Sequence, residues 1–233
     1  MIGKYQMMLA DHYFFTRSEF AEDTLPMRYL LAGSLGFLLC GVWFGSQLWL
    51  THIFSKRGCH HLIYFSPLFA ACIPIVLIIR LNGLYSPRLS ALSNGKLWAL
   101  TAATLLVTCL IKGLSGKKCR TAEKRELARI CMEAAFVEIA QRLMMQSFVM
   151  YLLDVWGCAT VWCIFLNALI WCAGIITQGI LSKQKMGKDI VFDLIASFVF
   201  SMGCGYVFYL SGCIVFSAAA HAVERAIMTK PDR

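Results

Sequence analysis

Four ionisable side chains stand where the surrounding sequence is apolar: Glu133, Glu138, Arg142 and His221. A charge inside a membrane span is costly and marks a polar pathway, a catalytic site or a structural pair. A carboxylate and an imidazole brought together can hold a water and move its proton. Glu138 and Arg142 are four residues apart with the acid first. That spacing puts both on one helix face in the order that favours a salt bridge. Such a pair can neutralise itself and fix a bundle register. Glu133 lies one turn before Val137, able to reach toward that position or to sit at a membrane edge beside Arg129. His221 follows Ser217, Ala218, Ala219 and Ala220, small residues that let helices approach closely. There it can hydrogen-bond across the bundle, handle a proton or hold a water. Glu224, three residues on, could orient it. Cys59, His60 and His61 are adjacent, and three neighbours in sequence do not build a tetrahedral metal site without remote ligands. They read as an interfacial loop, and neither a metal nor a cofactor is expected.

These residues need helices in a membrane to position them. Of the 233 residues, 59% are hydrophobic and 15% charged, and the mean hydropathy is +0.66. A soluble domain carries about a quarter charged residues. Disorder, collagen-like structure and an ordinary cytosolic enzyme are excluded, and a polytopic membrane protein is indicated. The net charge of +9 reads as positive cytoplasmic loops. No basic stripe is interleaved with aromatics, so nucleic acid is not an expected partner. The 11 cysteines lie mostly inside apolar runs and read as packing residues rather than a disulfide framework.

A spanning helix needs about 20 mostly apolar residues. Residues 1–26 are too charged for that and form an expected N-terminal interfacial segment without the pattern of a signal peptide. No Asp, Glu, Lys or Arg falls in 29–55, the first expected span. The second covers 62–79 and holds Pro74, the third 97–114. Residues 80–96 read as a loop, marked by Asn82-Gly83, Pro87 and Asn94-Gly95. The basic stretch 117–129 reads as a surface helix leading into a fourth span that ends near Leu153. The charge-free run 155–182 is a fifth, entered at Trp156-Gly157. Residues 194–223 are again free of charge, and a helix of that length would measure about 45 Å, longer than the hydrocarbon core. The run is therefore split near Ser211-Gly212 into a sixth span, 190–210, and a short seventh, 213–227.

The expected fold is thus all-α, a polytopic membrane helix bundle of about seven transmembrane helices. It divides into the interfacial segment, N-terminal transmembrane helices at 27–116 and a core at 117–229 that carries the motif helices. With seven spans, fifteen of the 22 Lys and Arg fall on one side, the side of the C-terminus. That side is expected to be cytoplasmic, in a bacterial-type plasma membrane.

The C-terminal half resembles the membrane-embedded CAAX-protease and bacteriocin-processing family, called CPBP or Abi. That family carries Glu-Glu-x-x-x-Arg in one span, Phe-x-x-x-His in a later one and His-x-x-x-Asn or Asp in the last. Here Val137-Glu138-Ile139-Ala140-Gln141-Arg142 matches the first motif, and Gly205-Tyr206 through Ser211-Gly212 matches a glycine-tyrosine stretch before the last span. His221 stands where the family has its final histidine. The resemblance spans about 125–227 and implies that Glu138, Arg142 and His221 are a remnant of a catalytic motif. The departures fall on polar positions. Val137 replaces the first glutamate, Ile175 the middle histidine with Trp171 at the aromatic place, and Arg225 the last Asn or Asp.

Peptide hydrolysis in a membrane needs a held water, a base and donors for the oxyanion. Val137 takes no proton, Ile175 donates nothing, and Arg225 is no neutral amide. The first expectation is therefore a catalytically degenerate CAAX-protease-like protein acting as a scaffold or partner-binding protein in the bilayer. One alternative is an active intramembrane endopeptidase for a hydrophobic or prenylated peptide, using Glu138 and His221 with support from Glu133 and Glu224. Another is a small transporter with Glu, Arg and His along its path.

Overall fold

A computed structural model describes the backbone of residues 3–82, 88–115, 120–181, 183 and 187–231, and the side chains of 25–78, 88–115, 121–181, 183, 187–188 and 190–229. Helix α1 runs Gly3–Lys56 with Pro26 inside it. A 3-10 turn, His60–Phe65, leads to α2, Ser66–Asn82, which contains Pro74. A second 3-10 turn, Leu89–Ser93, precedes α3, Gly95–Leu114. Then come α4, Lys124–Ile139, a π-helical segment, Ala140–Gln146, and α5, Ser147–Val155. Helices α6, Trp162–Leu181, α7, Lys188–Ser211, and α8, Val215–Met228, complete the bundle. The interfacial placement expected for residues 1–26 rests on side chains that, up to residue 24, lie outside the described ones.

Local sequence explains several boundaries. The Asn94 side chain accepts the Lys96 N–H at 3.0 Å and caps α3. Gly212, at φ 65°, ends α7 and donates its N–H to Phe208 O at 2.7 Å. This is the break expected at Ser211-Gly212. Gly157, at φ 66°, ends the turn after α5 in the same way. The chain then turns again before α6, so the fifth expected span starts at Trp162, several residues inside the charge-free run. An absence of charge marks what a membrane tolerates, and the left-handed glycine decides where the helix stops.

The basic stretch 117–129 departs from expectation. Its helix begins only at Lys124; before it, β1, Arg120–Ala122, pairs in parallel with β2, Thr229–Pro231. The strand pair ties the start of α4 to the end of α8. At the opposite end of the bundle, Arg28 Nη1 donates to Trp156 O at 2.6 Å and Ala159 N donates to the Tyr29 hydroxyl at 3.2 Å.

Five stretches are long and apolar enough to cross a membrane: Leu25–Lys56, His60–Ile78, Gly95–Leu114, Trp162–Leu181 and Ile190–Ser211. Each buries little of its most apolar window within the protein, 22% in four of them and 39% in the last. Their outward side chains, such as Leu38, Trp49, Ile73, Leu110 and Ile180, are matched to a bilayer. The chain is an all-α integral membrane protein by this measure. The fourth and seventh expected spans differ from the other five. Helix α8 has 14 residues, about 21 Å of rise against a hydrocarbon core of about 30 Å. The α4–α5 rod is helical throughout but carries its polar residues inward, among them Glu138, Gln141, Arg142, Gln146 and Ser147, all buried. It is packed by α8, α2, α6 and α1. The most polar rod is thus the most enclosed, and the apolar helices form the outside.

Candidate functional site

Arg142 organises the interior. Helical spacing places Glu138 and Gln146 one turn to either side of it. Its Nε donates to Glu138 Oε2 at 3.0 Å, and its Nη1 donates to Gln146 Oε1 at 3.1 Å. Nη1 also reaches the Ser201 carbonyl on α7 at 3.2 Å and the Ser201 hydroxyl at 3.5 Å. The guanidinium and the Glu138 carboxylate are both 0% exposed. A buried charge is retained only if it is paired and hydrogen-bonded, and this one has a carboxylate, an amide and a carbonyl.

The π-helical segment lets one rod carry so many polar groups inward. A π turn holds an extra residue, so Gln141 and Arg142 both reach α7. Gln141 Nε2 donates to the Ser201 hydroxyl at 2.8 Å. Gln146 Nε2 donates to Gly205 O at 2.8 Å. Gly205 suits this close approach, since a Cβ would stand 3.1 Å from both Arg142 Nη1 and Gln146 Oε1. Two groups in this interior have no partner among the described residues: Arg142 Nη2 and the Asn167 side-chain amide.

Glu138 and His221 come together across α4 and α8. His221 Nδ1 lies 3.0 Å from Glu138 Oε1. An ionised carboxylate only accepts, so Nδ1 is the donating nitrogen in this contact. The Phe200 ring packs beside the imidazole with centroids 5.2 Å apart. Glu138 is therefore held by Arg142 on one oxygen and by His221 on the other.

Glu224, which could have oriented His221, makes its ion pairs elsewhere. Glu224 is buried, and its oxygens go to Lys112 Nζ at 2.6 Å and Arg225 Nε at 3.5 Å. The two side chains are neighbours on one face of α8, but Lys112 on α3 supplies a full charge at 2.6 Å that the imidazole does not. Glu133 takes a different position again. It contacts neither Glu138 nor Glu224 but lines a cavity of about 390 Å³ between the α1–α6 pair and the α4–α8 pair. Val137, Ile175 and Arg225 line the same cavity, and so does His221. The remaining walls are mostly apolar, from Phe37, Trp43, Phe44 and Trp171.

Cys59 donates its thiol to Arg57 O at 3.8 Å, and His60 and His61 open a 3-10 turn. The described residues contain no group of three His, Cys, Asp or Glu able to hold a metal ion. The cysteines divide between packing and surface: Cys40, Cys158, Cys163, Cys204 and Cys213 are buried, whereas Cys72 is exposed.

Sequence reading missed Gln141, Gln146, Ser201 and Lys112. Gln146 was available as the next residue in the four-residue series from Glu138 through Arg142. Ser201 and Lys112 act across the fold, where sequence spacing carries no signal. In comparisons with protein-family models, with characterised proteins and with solved structures, none matches this chain.

Proposed function

We propose that this chain is a non-catalytic, membrane-embedded binding protein built on a CAAX-protease-like frame. The observation that carries the reading is convergence. The three positions at which that frame would need water-handling residues, Val137, Ile175 and Arg225, sit on three different helices yet line one cavity beside His221. Two of the three side chains are aliphatic, and the third is a cation. The acid that remains, Glu138, is held on both oxygens. A cavity whose motif positions hold Val137, Ile175 and Arg225, with apolar walls and charged residues among them, is suited to holding a molecule rather than cutting one.

The same reading takes α4–α5 and α8 as the two further passes of a seven-helix bundle. Its support is the alternation of ends: Arg28 meets Trp156 at one end, and β1 meets β2 at the other. Lys56 of α1, Lys112 of α3, the basic residues at the start of α4 and Arg225 of α8 then gather on the C-terminal side, which we assign to the cytoplasm.

The test is cleavage by the purified full chain, reconstituted in vesicles with a panel of hydrophobic and lipidated peptides. No product is expected. A product that is lost in His221→Ala would overturn the reading. It would favour a second one, in which Glu133 acts as the base; that alternative is motivated by Glu133 and His221 sharing the cavity.

A further inference from the structure

The cavity is graded. On α1 the polar lining residue is Gln47, the one nearest Lys56, and Phe37 stands at the other extreme. On α6 Thr177 and Gln178 lie toward Leu181, with Trp171 deeper. On α8 Arg225 lies one turn nearer Met228 than His221. On α4 Glu133 lies one turn nearer Lys124 than Val137. Four helices thus place their polar lining toward the same end of the bundle. That end holds Lys56, Lys124 and the β1–β2 pair. Apolar walls continue inward from it.

Two charges of opposite sign stand in this polar mouth. Among the described residues, no hydrogen-bond donor meets the Glu133 carboxylate. The Arg225 side chain is 45% exposed, lines the cavity, and meets Glu224 through Nε at 3.5 Å. An anionic ligand would answer Arg225 and be repelled by Glu133. A cationic one would answer Glu133 and be repelled by Arg225. A zwitterion whose cation donates N–H groups answers both, and an apolar tail fills the walls below.

We propose that this cavity is a binding site for a phospholipid with a primary-amine zwitterionic head group, of the ethanolamine type. The ammonium meets Glu133, the phosphate meets Arg225, and one acyl chain lies along the apolar wall formed by Phe37, Phe44 and Trp171. The lipid comes from the leaflet on the basic side. A quaternary choline head offers no N–H to Glu133, and a glycerol head offers no cation. This deepens the binding reading above. It is measured without turnover, so the detection of hydrolysis would overturn that reading and leave this one standing.

The experiment is native mass spectrometry of the full chain released from vesicles holding equal amounts of phosphatidylethanolamine, phosphatidylcholine and phosphatidylglycerol with identical chains. The expected result is one retained lipid, with the ethanolamine head favoured by about tenfold, the worth of one charge-assisted hydrogen bond. Glu133→Gln keeps the side-chain shape, and Arg225→Gln changes a half-exposed position. Glu133→Gln is expected to bring the preference close to one. Arg225→Gln, which removes the partner of the phosphate that all three lipids share, is expected to lower retention of all three alike. Glu123→Gln at the exposed start of α4 is expected to leave both unchanged. Gly174→Leu, whose Cβ would point at Cys40 Sγ 3.6 Å away, is expected to remove retention of all three lipids. Equal retention of the three head groups by the unaltered chain would overturn the proposal. So would a preference that persists in Glu133→Gln.

Discussion

His221 Nδ1 stands 3.0 Å from Glu138 Oε1, so α8 is tied to α4 through a carboxylate that is itself held by Arg142. The three side chains form a chain of contacts in which the acid is the shared partner. Removing the acid therefore disturbs more than removing either neighbour. It leaves a buried guanidinium without its counter-charge and an imidazole without its acceptor.

Glu138→Gln is expected to lose about 3–5 kcal/mol, the usual result of breaking a buried ion pair by removing one partner. Replacing both partners, Glu138→Gln with Arg142→Met, is expected to be less harmful than Arg142 left alone, because no unpaired charge stays buried. Thermal unfolding in detergent, followed by circular dichroism, measures both. A Glu138→Gln protein as stable as the unaltered chain would show that the pair is not buried as described.

Gly205→Ala should cost about 1–3 kcal/mol by overpacking. The added methyl group would crowd Arg142 Nη1 and Gln146 Oε1, neither of which can leave without giving up a buried hydrogen bond. Gly45→Ala on α1 is the matched comparison, since its Cβ meets nothing within 4 Å. The same melting experiment is expected to show a clear loss for the first and none for the second.

Helices α3 and α7 approach where Gly203 faces Thr104, and a Cβ on Gly203 would overlap the threonine side chain. Gly203→Ala is expected to destabilise the bundle by about 1–3 kcal/mol. Adding Thr104→Ala should return part of that loss, because the two sites are in contact and their effects do not add. Purely additive losses in the double variant would mean that the helices can separate to make room.

Lys112→Met removes the 2.6 Å partner of Glu224 and leaves that buried acid with Arg225 at 3.5 Å. A loss of about 2–4 kcal/mol is expected, below the full cost of an unpaired buried charge because Arg225 remains. Glu224→Gln in the same background is expected to recover stability. A further loss on adding it would contradict the pairing.

The helices and the Glu138–Arg142 pair were legible in the sequence for simple reasons. Runs without Asp, Glu, Lys or Arg mark what lipid tolerates, and a four-residue spacing places two side chains on one face. The break at Ser211-Gly212 was also legible, because the run was too long for one crossing. The contact of His221 with Glu138 was suggested by resemblance alone; spacing cannot join residues on separate helices. Glu224 was read as an aid to His221 because the two are close in sequence. Lys112, distant in sequence, won that acid through a full charge at short range. The β1–β2 pair left no trace at all. Arg120 and Thr229 find one another only after α4 and α8 have packed, and three residues are too few to show an alternating pattern.

The π-helical segment at Ala140–Gln146 has a consequence for how this chain can vary. Each residue of an α-helix advances the facing direction by about 100°. The extra residue therefore sets the phase of everything after it. Val149 and Leu153, both 0% exposed, point inward because of that offset. Rewinding the segment as a regular α-helix with all its residues kept would swing both side chains about 100° around the rod, toward lipid, whereas deleting a single residue would take up the offset and leave them facing inward. Glu138 would stay in place. The segment thus works as a phase shifter between a polar half and an apolar half of one rod. Point substitutions are tolerated or resisted site by site, but a change in its winding is felt by every turn that follows.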